Sequence, residues 1–100
     1  MVEKILTLSR VHIQKGTGEW LDQQANLTKG NDVDFPVFKK EDDGWFIPVK
    51  ERLVTEELKE KHKVPVEFFD VLNYAVTHKC TWILIDHEGD IIEDLTQYNW

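Results

Sequence analysis

The run Thr81–Ile85, read Thr-Trp-Ile-Leu-Ile, constrains the fold more than any other part of the sequence. Successive side chains of a β-strand point to opposite faces, and here both faces are apolar. A strand of that kind lies inside a sheet and is covered on both sides, so we predict a central, doubly covered strand. The longest uninterrupted apolar stretch, Trp82–Ile85, is far shorter than the roughly 20 residues that cross a membrane. We therefore expect no membrane association.

The segment after Pro65 has the clearest helical pattern in the chain. Pro65 suits the first turn of a helix, because no backbone N–H is needed there. Apolar residues recur three to four positions apart and form one stripe: Phe68, Leu72, Ala75 and Val76, widened by Phe69 and Val71. Polar residues recur at a similar spacing and predict a solvated side: Glu67, Asp70, Asn73 and Thr77. The pattern predicts an amphipathic helix.

Capping signals predict two further helices. Thr17 is a candidate N-cap, Glu19 suits the first turn that follows, and Gly30 is expected to end the helix. Thr55 is a candidate N-cap for a short helix over Glu56–His62, in which the acids come early and the bases late. That order is favourable in the field of the helix dipole.

Turn signals divide the remaining sequence into predicted strands. The candidates are Lys4–Leu8, Phe35–Phe38, Trp45–Ile47 and Asp90–Ile92. The dipeptide Asp43-Gly44 predicts a hairpin between the second and third of these, and Asp86–Gly89 predicts the turn that leads into the last. Three tryptophans fall inside predicted elements and are expected in the core: Trp20, Trp45 and Trp82.

The predicted element order is β-α-β-β-α-α-β-β, which defines an α+β fold. We expect a four- to five-stranded sheet, mainly antiparallel or mixed, with two to three helices packed on it. The 100 residues are 41% hydrophobic and include four tryptophans, enough to fill one core. The length then predicts a single domain spanning residues 1–100.

The charge of the chain is acidic and unevenly distributed. The formal net charge is −7, which argues against direct, sequence-independent binding to nucleic acid, because that binding needs Lys and Arg on the phosphates. Residues 81–100 hold five acids and no base. The candidate acidic surface comprises Glu41, Asp42, Asp43, Asp86, Glu88, Asp90, Glu93 and Asp94. Such segments either keep a protein soluble or present an acidic surface to a basic protein partner.

Two sets of polar residues are candidates for chemistry. His78, Cys80 and His87, together with Asp86, are zinc-ligand types, but their spacing matches none of the established zinc patterns. A Ser/His/Asp triad can be drawn from Ser9, His12 and Asp86, yet no nucleophile elbow accompanies it. We therefore expect no enzyme activity, no metal and no cofactor, and a small metal-binding or hydrolytic protein remains the alternative.

Two single residues bear on location and binding. Cys80 is the only cysteine, so an internal disulfide is impossible, and a reducing, cytoplasmic location is expected. No apolar run of signal-peptide length begins the sequence. Trp100 follows an acidic segment, where it either docks on the domain or serves as an exposed aromatic anchor for a partner.

Short motifs spread over nearly the whole chain resemble those of a family of small, functionally uncharacterised domains found in bacteria, phages and plasmids. The motifs are Ser9-Arg-Val-His12, Trp20-Leu21, Gly44-Trp45-Phe46 and the string from Cys80 to Trp100. His87-Glu88 departs from the usual residues of the last turn. The resemblance implies an α+β fold and a mobile-element setting, and it supplies no catalytic residues. Small acidic proteins in that setting are often inhibitors of host defence, including anti-CRISPR proteins.

The leading hypothesis is a non-enzymatic interaction domain that inhibits a nucleic-acid-handling defence protein, such as a nuclease, in the host cytoplasm. Its acidic surface, with Trp100, would meet a basic site on that partner. A third hypothesis is a structural or regulatory homodimer, because an exposed strand edge can pair with a second copy.

Overall fold

A four-stranded mixed sheet is the framework of the protein in a computed structural model, which describes residues 3–28, 36–40 and 44–98. Its strands are β1 (Ile5–Ser9), β2 (Phe38–Lys40), β3 (Gly44–Pro48) and β4 (Trp82–Asp86). Their spatial order is β1-β4-β3-β2, with β1 parallel to β4 and the other two pairs antiparallel. The predicted central position of the Thr81–Ile85 run and the predicted hairpin are therefore confirmed.

Three α-helices lie in the described part of the chain: α1 (Lys15–Thr28), α2 (Glu56–His62) and α3 (Val66–Thr77). The helix α2 has the bounds that the sequence predicts, because the Thr55 hydroxyl accepts a hydrogen bond from the Leu58 N–H at 3.2 Å. It ends where Lys63 adopts a left-handed conformation with φ 53°. Short 3-10 turns occupy Arg10–His12 and Glu51–Leu53.

The core lies between the helices and one face of the sheet. Strand residues of that face alternate along the chain and are adjacent in register: Leu8, Trp45, Ile47, Ile83 and Ile85. The helices contribute Leu21, Ala25, Phe68, Val71, Leu72 and Ala75. The predicted stripe of the amphipathic helix and the predicted burial of Trp45 are thus confirmed, and the α+β class with them.

The second face of the central strand is less covered than its sequence predicts. Ile83 and Ile85 are buried, whereas Trp82 and Leu84 are only half-buried and lie outside the core cluster. The core helices contribute their side chains to one face, so alternate residues of β4 face away from them. The expectation that Trp82 fills the core is therefore wrong, and Trp20 is half-buried against the core edge.

Two residues of the helices have roles that differ from their predicted ones. The helix α1 begins at Lys15, so Thr17 lies inside it rather than at its N-cap. Thr17 is buried, and its hydroxyl donates to the Glu67 carboxylate on α3. Glu67 is accordingly buried, not solvated, because Thr17 and Gln14 supply hydrogen bonds that replace water.

Residues Asp90–Ile92 do not form the predicted last strand. The chain turns at Gly89 and passes close to β1, where the Ser9 N–H donates to the Asp90 carbonyl at 2.8 Å. The turn at Asp43 and the helix end at Gly30 lie outside the described residues. Within those residues, no helix is long and apolar enough to cross a membrane.

Candidate functional site

The segment that follows β4, residues 87–98, is fixed to the domain by a buried histidine. We name it the C-terminal segment. His12 is 1% exposed, and its Nδ1 lies 2.9 Å from the Thr96 carbonyl oxygen. Its Nε2 accepts a hydrogen bond from the Ile92 N–H at 2.9 Å. This pattern assigns the proton to Nδ1, so that both ring nitrogens bind the backbone of the segment.

Backbone bonds and apolar contacts complete the docking of the C-terminal segment. The Tyr98 N–H donates to the Val11 carbonyl at 2.6 Å. Ile92 and Leu95 are partly buried and pack against the core. These contacts hold the segment against the domain, and its backbone direction determines where its side chains lie.

Docking leaves the acidic side chains of the segment exposed. Glu88, Asp90, Glu93 and Asp94 are all exposed, and the Glu88 side chain is 83% accessible. The ion pairs among the described residues involve none of Asp90, Glu93 and Asp94. The segment therefore presents three exposed carboxylates that form no ion pair with the described residues.

Asp86 differs from the other candidate acids because it serves the turn at the end of β4. Its carboxylate pairs with Lys40 on β2 and accepts a hydrogen bond from the Glu88 N–H at 3.2 Å. The hydrogen bond from Lys40, followed by that from the Glu88 backbone, lowers the pKa of Asp86. His87 Nδ1 lies 3.2 Å from the same carboxylate. Asp86 is thus a fixed, partly neutralised acid.

A cleft of about 280 Å³ lies between α3 and the C-terminal segment. Its polar lining includes Asp70, Asn73, Tyr74, Asp94, Thr96 and Tyr98. Asp70 brings an exposed carboxylate from α3 toward the acids of the segment. The buried polar atoms of the described residues all have hydrogen-bond partners, so the cleft extends the acidic surface without an unpaired buried group.

The residues considered for metal binding are not grouped in the described part of the chain, whereas those considered for hydrolysis are partly brought together, because the register of β1 and β4 places Ser9 beside Asp86. Cys80 is buried before β4, whereas His87 follows the other end of that five-residue strand. In the described ranges no three His, Cys, Asp or Glu residues form a group that could hold a metal ion. The Ser9 hydroxyl accepts from the Val11 N–H at 3.2 Å. With both His12 nitrogens bound to backbone, the imidazole has no lone pair free to activate Ser9.

A second surface is the sheet face opposite the core, which we name the open face. The register places Ile5 beside Trp82 and Phe46 beside Phe38 on this face. The Phe38 and Trp82 rings are 6.5 Å apart, and Ile5 and Phe38 are 52% and 48% exposed. Together with Glu3, these residues line a shallow depression of about 520 Å³. The open face is therefore an exposed apolar surface with an aromatic centre.

The sequence matches the model of a protein family. A model for the C-terminal domain of DUF5983, a family of unknown function, matches residues 5–100. The chain belongs to this family. No curated protein and no solved structure matches the chain. The predicted membership of a functionally uncharacterised family is confirmed, and an origin in bacteria, phages or plasmids stays a prediction.

In this member of the family, part of the predicted acidic surface lies within the described residues. Glu88, Asp90, Glu93 and Asp94 share the C-terminal segment, next to Asp86 in the turn. The remaining predicted residues lie outside the described residues: Glu41, Asp42, Asp43 and Trp100. Sequence reasoning missed Asp70 and the open face. The sequence did contain a signal for the open face, because alternate residues of each strand lie on the same face of the sheet.

Proposed function

We propose that this chain is a non-enzymatic protein-interaction domain that presents its acidic C-terminal segment to a basic surface of a protein partner. One observation supports the proposal above the others: the backbone of the segment is bound through His12, while its carboxylates are exposed. An ordered segment loses little conformational entropy on binding, and this reduces the cost of association.

The electrostatics of the segment suit a basic partner. Exposed carboxylates on a protein of net charge −7 create a negative potential around this surface. Such a potential speeds the encounter with a positively charged surface and disfavours acidic competitors. Nucleic acid is itself polyanionic, so the proposed ligand is a protein and not DNA or RNA.

The proposed partner class is a nucleic-acid-handling protein, such as a nuclease of host defence, in the cytoplasm. Its phosphate-binding site is lined by Lys and Arg, which the carboxylates of the segment would occupy in place of phosphates. The resemblance to domains of phages and plasmids supports an anti-CRISPR-like inhibitor carried by a mobile element. Under this proposal, the domain competes with the nucleic acid of its partner.

The test reverses the charges of the segment and compares binding with a matched variant. The test protein carries Glu88→Lys, Asp90→Lys, Glu93→Lys and Asp94→Lys. The control reverses four exposed acids of other elements: Glu19, Glu51, Glu57 and Glu60. Both variants change the net charge equally, so only the position of the charge differs. Pull-down against a panel of purified defence nucleases is carried out from about 50 to 500 mM NaCl.

We expect the unmodified domain to capture a nuclease at low salt and to release it as salt rises, because the attraction is screened. The segment variant should lose capture, and the control should keep most of it. Capture that survives reversal of the segment, or that both variants lose equally, would contradict the proposed surface.

A further inference from the structure

The open face has the composition of an interface centre. Aromatic side chains are enriched where binding energy concentrates, and this face carries Trp82, Phe38 and Phe46 in one depression. Ile5 and Phe38 are two of the five exposed large apolar residues of the described chain, at 52% and 48%. Leaving this apolar area in water is unfavourable, so covering it would supply free energy for binding.

Acidic groups border the open face at both ends of β4. Glu3 lines the depression near the start of the strand. At the other end, the Asp86 carboxylate is held by Lys40 and followed by His87 and Glu88. Glu88, 83% accessible, leads directly into the acidic C-terminal segment. The apolar centre therefore has acidic groups at both ends of β4, an arrangement like that of a core and its polar rim in protein interfaces.

The dimensions of the open face favour one helix over a second copy of the domain. Four strands spaced about 4.8 Å apart span about 14 Å between the outer strands, and five residues extend about 17 Å. The resulting footprint, on the order of 250 Å², is well below the roughly 800 Å² per partner of a stable complex. An α-helix about 10 Å wide covers this length with about 11 residues.

We propose that the open face is the docking site for one amphipathic helix of the basic partner. The apolar side of that helix would lie on Ile5, Phe38 and Trp82, and Lys or Arg residues at its ends would face Glu3 and Glu88. The helix forms a third layer on a two-layer domain, an arrangement common for sheets with two apolar faces. This inference rests on the proposed function, because it takes the helix to belong to the basic partner.

The probe for the test is a fluorescently labelled 14-residue peptide of Leu and Lys, with leucines at i, i+3, i+4 and i+7. One comparison peptide has the same pattern with Glu in place of Lys. The other has the Leu/Lys composition in an order without helical periodicity. Binding is measured by fluorescence anisotropy, and we expect only the periodic Leu/Lys peptide to bind.

Substitutions locate the peptide on the domain. We expect Phe38→Glu and Ile5→Glu each to raise Kd at least tenfold. Val66→Glu is the matched control, because Val66 is 63% exposed but begins α3, away from the sheet, and it should leave Kd unchanged. Circular dichroism and urea unfolding establish that each variant is folded.

Three results would overturn the inference: equal binding of the aperiodic peptide, equal binding of the Glu peptide, or no effect of both open-face substitutions. A dimer in sedimentation that Phe38→Glu dissociates would assign the face to a second copy instead. The proposed function fails separately, when reversal of the C-terminal acids leaves nuclease capture intact. If nuclease capture requires the C-terminal acids but is unchanged by Phe38→Glu, the helix site is refuted and the proposed function stands.

Discussion

His12 shows how a polar residue is buried in this protein without a catalytic role. Its neutral imidazole donates from Nδ1 to the Thr96 carbonyl and accepts at Nε2 from the Ile92 N–H, each at 2.9 Å. A buried polar group that is fully paired avoids the desolvation penalty and fixes the geometry of its partners. A side chain that carries none of the negative charge therefore helps to position the acids.

Replacing His12 by Ala should release the C-terminal segment. The Ile92 N–H and the Thr96 carbonyl lose their partner, and a cavity forms at a site that is 1% exposed. We expect a loss of about 2–4 kcal/mol in the free energy of unfolding, together with faster proteolysis after β4. Urea unfolding and limited proteolysis measure the two effects.

The control for this substitution is His78→Ala, since His78 is exposed at the end of α3 and stacks on Tyr74 with ring centroids 4.2 Å apart. Its loss should change stability by no more than about 0.5 kcal/mol. Equal protease resistance of residues 87–98 in His12→Ala and the unmodified protein would show that other contacts hold the segment.

At the scale of elements, the turn after β4 determines the course of the C-terminal segment. A Cβ atom built on Gly89 would lie 2.3 Å from the Leu8 carbonyl oxygen and 2.4 Å from its carbon. No side chain fits that separation, and the atoms in the way are backbone. The close approach of this turn to β1 therefore requires glycine, and it directs residues 90–98 along the 3-10 turn at Arg10–His12 instead of along the sheet.

Gly89→Ala should displace the turn from β1. Because the backbone of Leu8 cannot move aside without breaking the β1–β4 pairing, we expect a loss of about 1–3 kcal/mol or more in urea unfolding. Gly16→Ala is the matched control in α1, where nothing lies within 4 Å of the added carbon. It should be neutral or stabilise by up to about 1 kcal/mol. Equal effects of both substitutions would contradict the close approach as the cause.

Local signals predict the elements of this fold better than they predict burial. Thr55 and the following charges specify α2 because capping and dipole effects act within one turn. The burial of Glu67 was not predictable, because it depends on Thr17, fifty residues away in sequence. Trp82 shows the same limit: its apolar neighbours predict a covered strand, but helix placement determines which face is covered.

The candidate site was predictable only where it is built from residues that are close together in the sequence. The acids after β4 are a run in the sequence, so their proximity needs no tertiary information. Asp70 joins them only because the C-terminal segment docks beside α3. The open face requires the register between strands, which pairs Ile5 with Trp82 across 77 positions of sequence. The alternation along each strand shows which residues share a face, but not which residues of distant strands become neighbours.

At the scale of the whole molecule, the acidic charges lie on a body of 32 × 29 × 27 Å. At about 10 mM salt the Debye length is about 30 Å, so every charge interacts with every other. At about 150 mM it falls to about 8 Å, and only neighbouring charges interact. With a net charge of −7, repulsion outweighs attraction at low salt and destabilises the compact state.

Stability should therefore rise with salt and depend on the C-terminal acids. We expect the free energy of unfolding in urea to increase by on the order of 1 kcal/mol from about 10 to 150 mM NaCl at pH 7. A variant with Glu88→Gln, Asp90→Asn, Glu93→Gln and Asp94→Asn should be more stable at low salt and less sensitive to it. Neutralising Glu19, Glu51, Glu57 and Glu60 instead removes equal charge from α1, the Glu51–Leu53 turn and α2, and should relieve less repulsion. A fall in stability with salt would mean that attractive pairs such as Lys39 with Asp22, 2.8 Å apart, dominate. A more stable but non-binding segment variant would show that the exposed acids are retained for their partner at a cost to the fold.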